Sequence, residues 1–172
     1  MVHPLWGIDD DDIPCQIEEG LFLGSVGAAK NWKKLKDLNV THMLTVANSL
    51  PPKYPNHFVY KVLNVEDRIT TDLRQHFNEC FNYIEEAKTS GGGVLVHSFA
   101  GSSRSATIVL SYLMKKHRMS LYQAFEHVKR ERDQRQNLML DLFYNCCGTL
   151  KKGSVGHIRQ THRPRLADQV RL

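Results

Sequence analysis

The sequence predicts a single α/β domain whose central, largely parallel sheet of about five strands is flanked by helices. Three observations carry that expectation. Short apolar runs of strand length alternate along the chain with longer segments whose apolar residues recur at helical spacing, the order that builds parallel sheets through helical crossovers. The run Val94-Leu95-Val96 follows the turn signal Gly91-Gly92-Gly93 and reads as a buried strand. A short loop after His97 then leads into a helix whose apolar face is Ala106, Ile108, Val109, Leu110, Leu113 and Met114. Ligands of such sheets sit at the carboxyl ends of the strands, where this loop falls.

The other elements follow in order. Ile17 and Leu21-Phe22-Leu23, punctuated by Gly20 and Gly24, predict two short strands. A helix is expected from Ala28 to Leu38, with Trp32, Leu35 and Leu38 inward. Thr41 to Ala47 reads as a strand, Pro51-Pro52 and Pro55 as a loop, and the alternation from Phe58 to Val65 as another strand. Asp72-x-x-Gln75 resembles a capping box that would start a helix from Leu73 to Thr89, buried along Phe77, Cys80, Phe81 and Ile84. A second box, Ser120-x-x-Gln123, starts a helix to about Arg132 with Leu121, Ala124, Phe125 and Val128 inward.

A chain of 172 residues is one domain by the usual prior and long enough for a proper core. Its division is expected to be a mobile acidic segment at 1–12, the folded domain at 13–147 and a basic, disordered tail at 148–172. The net charge of +5 belongs to that tail: from Lys151 onward there are six basic residues and one acid, while the rest of the chain holds seventeen of each sign. The basic balance therefore does not describe a nucleic-acid-binding face of the domain. No apolar run approaches the ~20 residues of a membrane span, and the first residues lack the layout of a signal peptide. Cys15, Cys80, Cys146 and Cys147 show no C-x-x-C spacing, so neither a metal site nor a disulfide framework is expected. No cofactor is expected either. A reducing compartment, the cytoplasm and also the nucleus, suits that cysteine usage. On its stripe, Cys80 reads as a core residue.

The loop itself carries the chemistry. Between a strand end and a helix start, backbone N–H groups and the positive end of the helix dipole converge into an anion site. Gly101 lets the backbone approach a ligand, and Arg104 in the first helical turn offers a planar fork for two phosphate oxygens. A Walker loop would end in Gly-Lys-Ser/Thr, whereas Gly101 is followed by Ser102-Ser103-Arg104. A serine-hydrolase elbow would flank Ser98 with glycines at two residues' distance, where Val96 and Ala100 stand.

His97-Ser98-Phe99-Ala100-Gly101-Ser102-Ser103-Arg104-Ser105 resembles the signature His-Cys-x-x-Gly-x-x-Arg-Ser/Thr of the protein tyrosine phosphatases, with serine in the cysteine position. From about Ile13 to Lys129 the chain is similar to the small dual-specificity protein phosphatases, most closely those of plants. Segments 17–25, 41–47, 58–62 and 111–117 resemble family segments in the right order. The resemblance implies a two-step phosphoryl transfer in which a loop thiolate attacks phosphorus, an aspartic acid protonates the leaving oxygen, and water frees the phosphate. It implies Ser98 at the nucleophile position, Asp67, 31 residues earlier, as the general acid, and Arg104 as the binder of phosphoryl oxygens. Asp72 is the rival acid, already explained as a helix cap. Ser105 resembles the hydroxyl that steadies the thiolate, or is a plain cap, and His97 resembles the histidine that props the loop. Phe99, Ala100, Gly101, Ser102 and Ser103 would line the substrate site with Arg104. The implied partner is a phosphorylated protein, MAP kinases above all, met by a monomer. Beyond Lys129 the pattern departs: residues 130–137 lack the family's prolines, Asn137 falls a residue early, and 138–144 would have to serve as a makeshift closing helix.

The serine decides the expected activity. A thiol's pKa of ~8.5 falls by as much as ~5 in the most favourable sites, whereas a hydroxyl starting near ~16 would still stand near ~11 after the same shift. About one molecule in 10⁴ would then be ionised at pH 7. Binding, which rests on Arg104 and the loop N–H groups, should survive. The readings left open are an impaired form of an active phosphatase, a natural pseudophosphatase that binds or scaffolds phosphoproteins, and a truncated or mis-spliced relative of low stability.

Overall fold

A computed structural model of the chain describes residues 12–68 and 71–132. Strands β1 (Cys15–Glu18) and β2 (Leu21–Gly24) form an antiparallel hairpin that turns at Gly20, φ +74°. Helices α1 (Val26–Lys30) and α2 (Trp32–Asp37) follow, then β3 (Val40–Val46) and β4 (Val59–Leu63). A 3-10 turn at Arg74–His76 opens α3 (Phe77–Thr89), which returns the chain to β5 (Gly93–His97). Helices α4 (Arg104–His117) and α5 (Leu121–Arg132) complete the described fold. The five strands lie in the order β1-β2-β5-β3-β4, and every pair except β1 with β2 is parallel.

Successive strand residues face opposite sides, and both sides are apolar because helices cover both. Leu21, Leu23, Leu44, Val46, Val94 and Val96 pack with Ile84, Ile108 and Leu113 beneath α3, α4 and α5. Phe22, Met43 and Leu95 face the other way, against Ala29, Leu35 and Phe58. The central strand β5 is buried at all five positions, so truncating Leu95 to Ala costs about 2–5 kcal/mol. That placement fixes the carboxyl end of β5, and the loop leaving it, in the middle of the molecule's upper edge.

Three elements differ from the sequence expectation. The segment expected as one helix from Ala28 to Leu38 is two, because Asn31 (ψ +77°) leaves the helical region and caps the second with its side chain, which accepts from the Lys34 N–H at 3.1 Å. The helix expected from Leu73 forms its α-helical part only at Phe77. Asp72 Oδ1 accepts from the Arg74 N–H at 3.0 Å, but Gln75 Nε2 donates to the Asp72 carbonyl rather than accepting its N–H, so the reciprocal box does not close and a 3-10 turn results. The box at Ser120 does close: Gln123 N–H to Ser120 Oγ at 3.2 Å, Ser120 N–H to Gln123 Oε1 at 2.8 Å. The strand expected over Phe58 to Val65 is Val59–Leu63. Asn137, the expected closing helix at 138–144 and the basic tail lie outside the described residues.

Candidate active site

The loop between β5 and α4 curls over Ser98, whose side chain is 2% exposed. Ser98 Oγ accepts from the Gly101 N–H at 3.2 Å and shares a hydrogen bond with Ser105 Oγ at 2.9 Å. The curl depends on Gly101 at φ +70°, a conformation that disfavours any side chain. A Cβ there would also stand 2.6 Å from the carbonyl carbon and oxygen of Gly24, so the loop rests directly on the end of β2. The Phe99 carbonyl accepts from the Val26 N–H at 3.1 Å, tying the loop's other shoulder to α1. Phe99 itself is the exposed apolar side chain on the rim. Helix α4, fourteen residues long, starts at Arg104, so its N-terminal N–H groups and dipole face the loop. Ser105 is inside that helix and fully buried; it is a partner of Ser98, not a helix cap.

Arg104 is buried as well. Its Nη1 donates to the Val65 carbonyl at 3.1 Å and its Nη2 to Asp67 Oδ2 at 3.3 Å. Its Nε has no hydrogen-bond partner among the described residues. A buried guanidinium N–H without an acceptor is costly, and an oxyanion held in the loop would supply one. Asp67 is half exposed, so it meets both the guanidinium and solvent. Asp72, the alternative acid, is turned away into a two-point pair with Arg74 Nε and Nη2, both at 3.0 Å. The structure therefore brings Asp67 to Arg104 and Ser105 to Ser98, where the loop meets the start of α4.

His97 is buried, and its Nε2 pairs with Thr45 Oγ1 at 2.8 Å, so its bond runs to β3 and not to the loop. Burial pushes its pKa down to about 4, leaving the ring neutral at pH 7. Burial pushes the Cys80 thiol up to about 12, as suits a core residue. Among the described residues no cluster of His, Cys, Asp and Glu could hold a metal ion, and no helix is long and apolar enough to cross a membrane.

Three contacts escaped the sequence. Thr45 and Val65 hold His97 and Arg104 through a hydroxyl and a main-chain carbonyl, which no motif records. Arg132 Nη1 donates to the Gly101 carbonyl at 2.7 Å from the end of α5. It sits in the basic run Lys129-Arg130-Glu131-Arg132, which looks like a solvated helix face. Its signal was its register, since 124, 128 and 132 share the buried side of the helix.

A mostly parallel sheet with this strand-to-helix loop at its centre defines a domain of the protein tyrosine phosphatase class. The model of the family "Dual specificity phosphatase, catalytic domain" matches residues 21–143. Dual specificity protein phosphatase 1 of Arabidopsis thaliana is 58% identical over 123 residues, which cover 72% of this chain and 62% of that protein. Dual specificity protein phosphatase 1B of the same plant is 56% identical over 119 residues, covering 69% and 71%. Human dual specificity protein phosphatase 1 is 41% identical over 72% of this chain and 34% of its own length. Among solved structures, the human tyrosine phosphatase-like serine/threonine/tyrosine-interacting protein superposes with a TM-score of 0.70 at 28% identity, covering 80% of this chain and 95% of that one. Human DUSP28 does so at 0.69 and 31%, covering 81% and 90%. The chain belongs to the dual specificity phosphatase family. It spans about six tenths of the first Arabidopsis relative and a third of the human one.

Proposed function

We propose that the domain binds phosphotyrosine and phosphoserine/threonine of a phosphorylated protein, a MAP kinase in the first instance, and turns it over little or not at all. The carrying observation is the loop over Ser98, with Arg104 buried behind it and its Nε–H without a partner among the described residues. In this reading the loop N–H groups and Arg104 clasp the phosphoryl oxygens, Ser98 Oγ stands in line with phosphorus, and Asp67 gives a proton to the leaving oxygen. Ser98 lacks a base. His97, its chain neighbour, has its Nε2 on Thr45 and, with a pKa near 4, is too weak a base to take a hydroxyl proton. The Ser105 hydroxyl is no stronger. The hydroxyl therefore stays protonated, and without a thiolate the site also loses a charge that would repel the phosphate dianion.

The test pairs this chain with Ser98→Cys on an aryl phosphate and on a doubly phosphorylated kinase-loop peptide. Turnover is expected only from the cysteine form and peptide binding from both. Hydrolysis by the serine form at a comparable rate overturns the ionisation argument. Arg104→Ala is expected to abolish binding in either background, and retained affinity would place the site elsewhere.

A second reading, a natural phosphoprotein-binding or scaffolding module of the cytoplasm and nucleus, is favoured by the two hydrogen bonds of the Ser98 hydroxyl, which hold the loop without a sulfur. The codon at position 98 in the native gene separates the two: a serine codon supports the module, a cysteine codon the enzyme.

A further inference from the structure

We propose that Arg132 is a positioning residue of the phosphate cradle: by holding the Gly101 carbonyl it turns the Ser102 N–H toward the bound oxyanion. The inference rests on the reading of the loop as that cradle. A peptide group is planar and, here as throughout the described chain, trans, so the Gly101 C=O and the Ser102 N–H point in opposite directions along one plane. Whatever fixes the oxygen fixes the hydrogen. The joint needs fixing, because a glycine on one side of a peptide leaves it freer to rotate than any other residue would.

Three other groups of the loop are held by the surrounding structure. The Phe99 carbonyl accepts from the Val26 N–H, the Gly101 N–H points to Ser98 Oγ, and the Ser103 carbonyl accepts from the Thr107 N–H at 2.8 Å. The Gly101 carbonyl is held by Arg132, through a short, charge-assisted bond of 2.7 Å in a buried setting. Were that peptide to rotate, a carbonyl dipole would face the anion where an N–H should be, exchanging an attraction for a repulsion.

Helix α5 is fastened so that its last residue can do this. Its first turn is closed by the Ser120–Gln123 box, Ala124 and Val128 are buried in the core, and His127 Nε2 pairs with the Ile17 carbonyl at 2.9 Å. The Cys15 thiol donates to the Glu131 carbonyl at 3.3 Å, one residue before Arg132. The final turn is thus tied to β1 while its arginine crosses to the loop, and the cradle's shape depends on a helix that does not itself line it.

The experiment uses the full chain, labelled with ¹⁵N and titrated with inorganic phosphate, beside Arg132→Met. In the parent the Ser102 amide proton should move downfield on saturation. In Arg132→Met that movement should vanish and phosphate affinity should fall about ten- to a hundredfold, the worth of one hydrogen bond to a charged group. Should the methionine variant not fold, Arg132→Gln, polar but too short to reach, reads the same two quantities. A folded variant that binds as tightly as the parent, with the Ser102 amide moving as before, overturns the positioning role and leaves the cradle standing. If both variants unfold, Arg132 serves stability alone and the proposal falls. If the parent itself shows no phosphate binding, the cradle reading fails and this inference falls with it.

Discussion

Ser98 Oγ lies 2.9 Å from Ser105 Oγ, both shut away from solvent on the floor of the loop. With a hydroxyl at 98 either oxygen can donate; with a thiolate only Ser105 could, and its bond would then favour the charged form. Placed in a Ser98→Cys background, Ser105→Ala should therefore raise the thiol's pKa by about one to two units, the equivalent of a hydrogen bond to a charge. The pH dependence of inactivation by iodoacetate reads this directly. A profile that does not move would make Ser105 a packing residue.

Asp67 Oδ2 stands 3.3 Å from Arg104 Nη2, where it shares the guanidinium with any incoming dianion. Two roles then separate in one substitution. Asp67→Asn should bind inorganic phosphate a few-fold more tightly, because a like charge has gone. In the Ser98→Cys background the same change should lower kcat by about 10²–10⁴, since an amide has no proton to give. Isothermal titration and steady-state kinetics check the two halves. Unchanged kcat would return the general-acid role to Asp72 or to no side chain.

The sheet and the loop were legible because both are written locally. Leu21-Phe22-Leu23, the run at 94–96 and the helix after Arg104 announce themselves by spacing, and Gly101 marks the curl. Helix boundaries were less so. Asn31 lies inside a pattern whose apolar residues continue across it, yet one side chain reaching the Lys34 N–H is enough to start a second helix. Asp72-x-x-Gln75 has the letters of a capping box, but Arg74 captures both carboxylate oxygens and Gln75 turns to the carbonyl. At the site, what the sequence concealed is what arrives from far along the chain. Arg104 reaches Val65, 39 residues away, and Arg132 reaches Gly101, 31 residues away. Both acceptors are main-chain carbonyls, which every residue possesses and no residue type advertises.

Gly101 and Gly91 give a matched pair for measuring what the loop's seat on β2 is worth. Both have positive φ, +70° and +78°, so an alanine meets the same backbone strain at each, about 1–2 kcal/mol. At Gly91 an added Cβ meets nothing within 4 Å, whereas at Gly101 it meets the Gly24 backbone, which has no flexible end to give way. Gly101→Ala should thus cost about 2–4 kcal/mol in urea unfolding and lose phosphate binding, with Gly91→Ala near the lower figure and binding normally. Equal costs at the two sites would mean that the loop can lift from β2 without penalty.

His97 ties stability to pH in a direction that its burial dictates. Its folded pKa is about 4 against 6.5 for an exposed imidazole, because burial penalises the charged ring. Above pH 6.5 both folded and unfolded chains carry it neutral, and its contribution is fully present. As pH falls from 6.5 toward 4 the unfolded chain takes up a proton that the folded one refuses, so stability drains away across that window. Below 4 both are protonated and the loss is complete, at about 3 kcal/mol for a shift of that size. Carboxylates titrate over an overlapping range, so the measurement is a difference: urea midpoints of the parent and of His97→Gln, followed from pH 7.5 to pH 4. Gln can still meet Thr45 but cannot titrate, so the parent's curve should fall away from the variant's through the window. Parallel curves would mean that the ring takes its proton inside the fold, with solvent or the loop reaching the Nδ1 atom that now has no partner among the described residues.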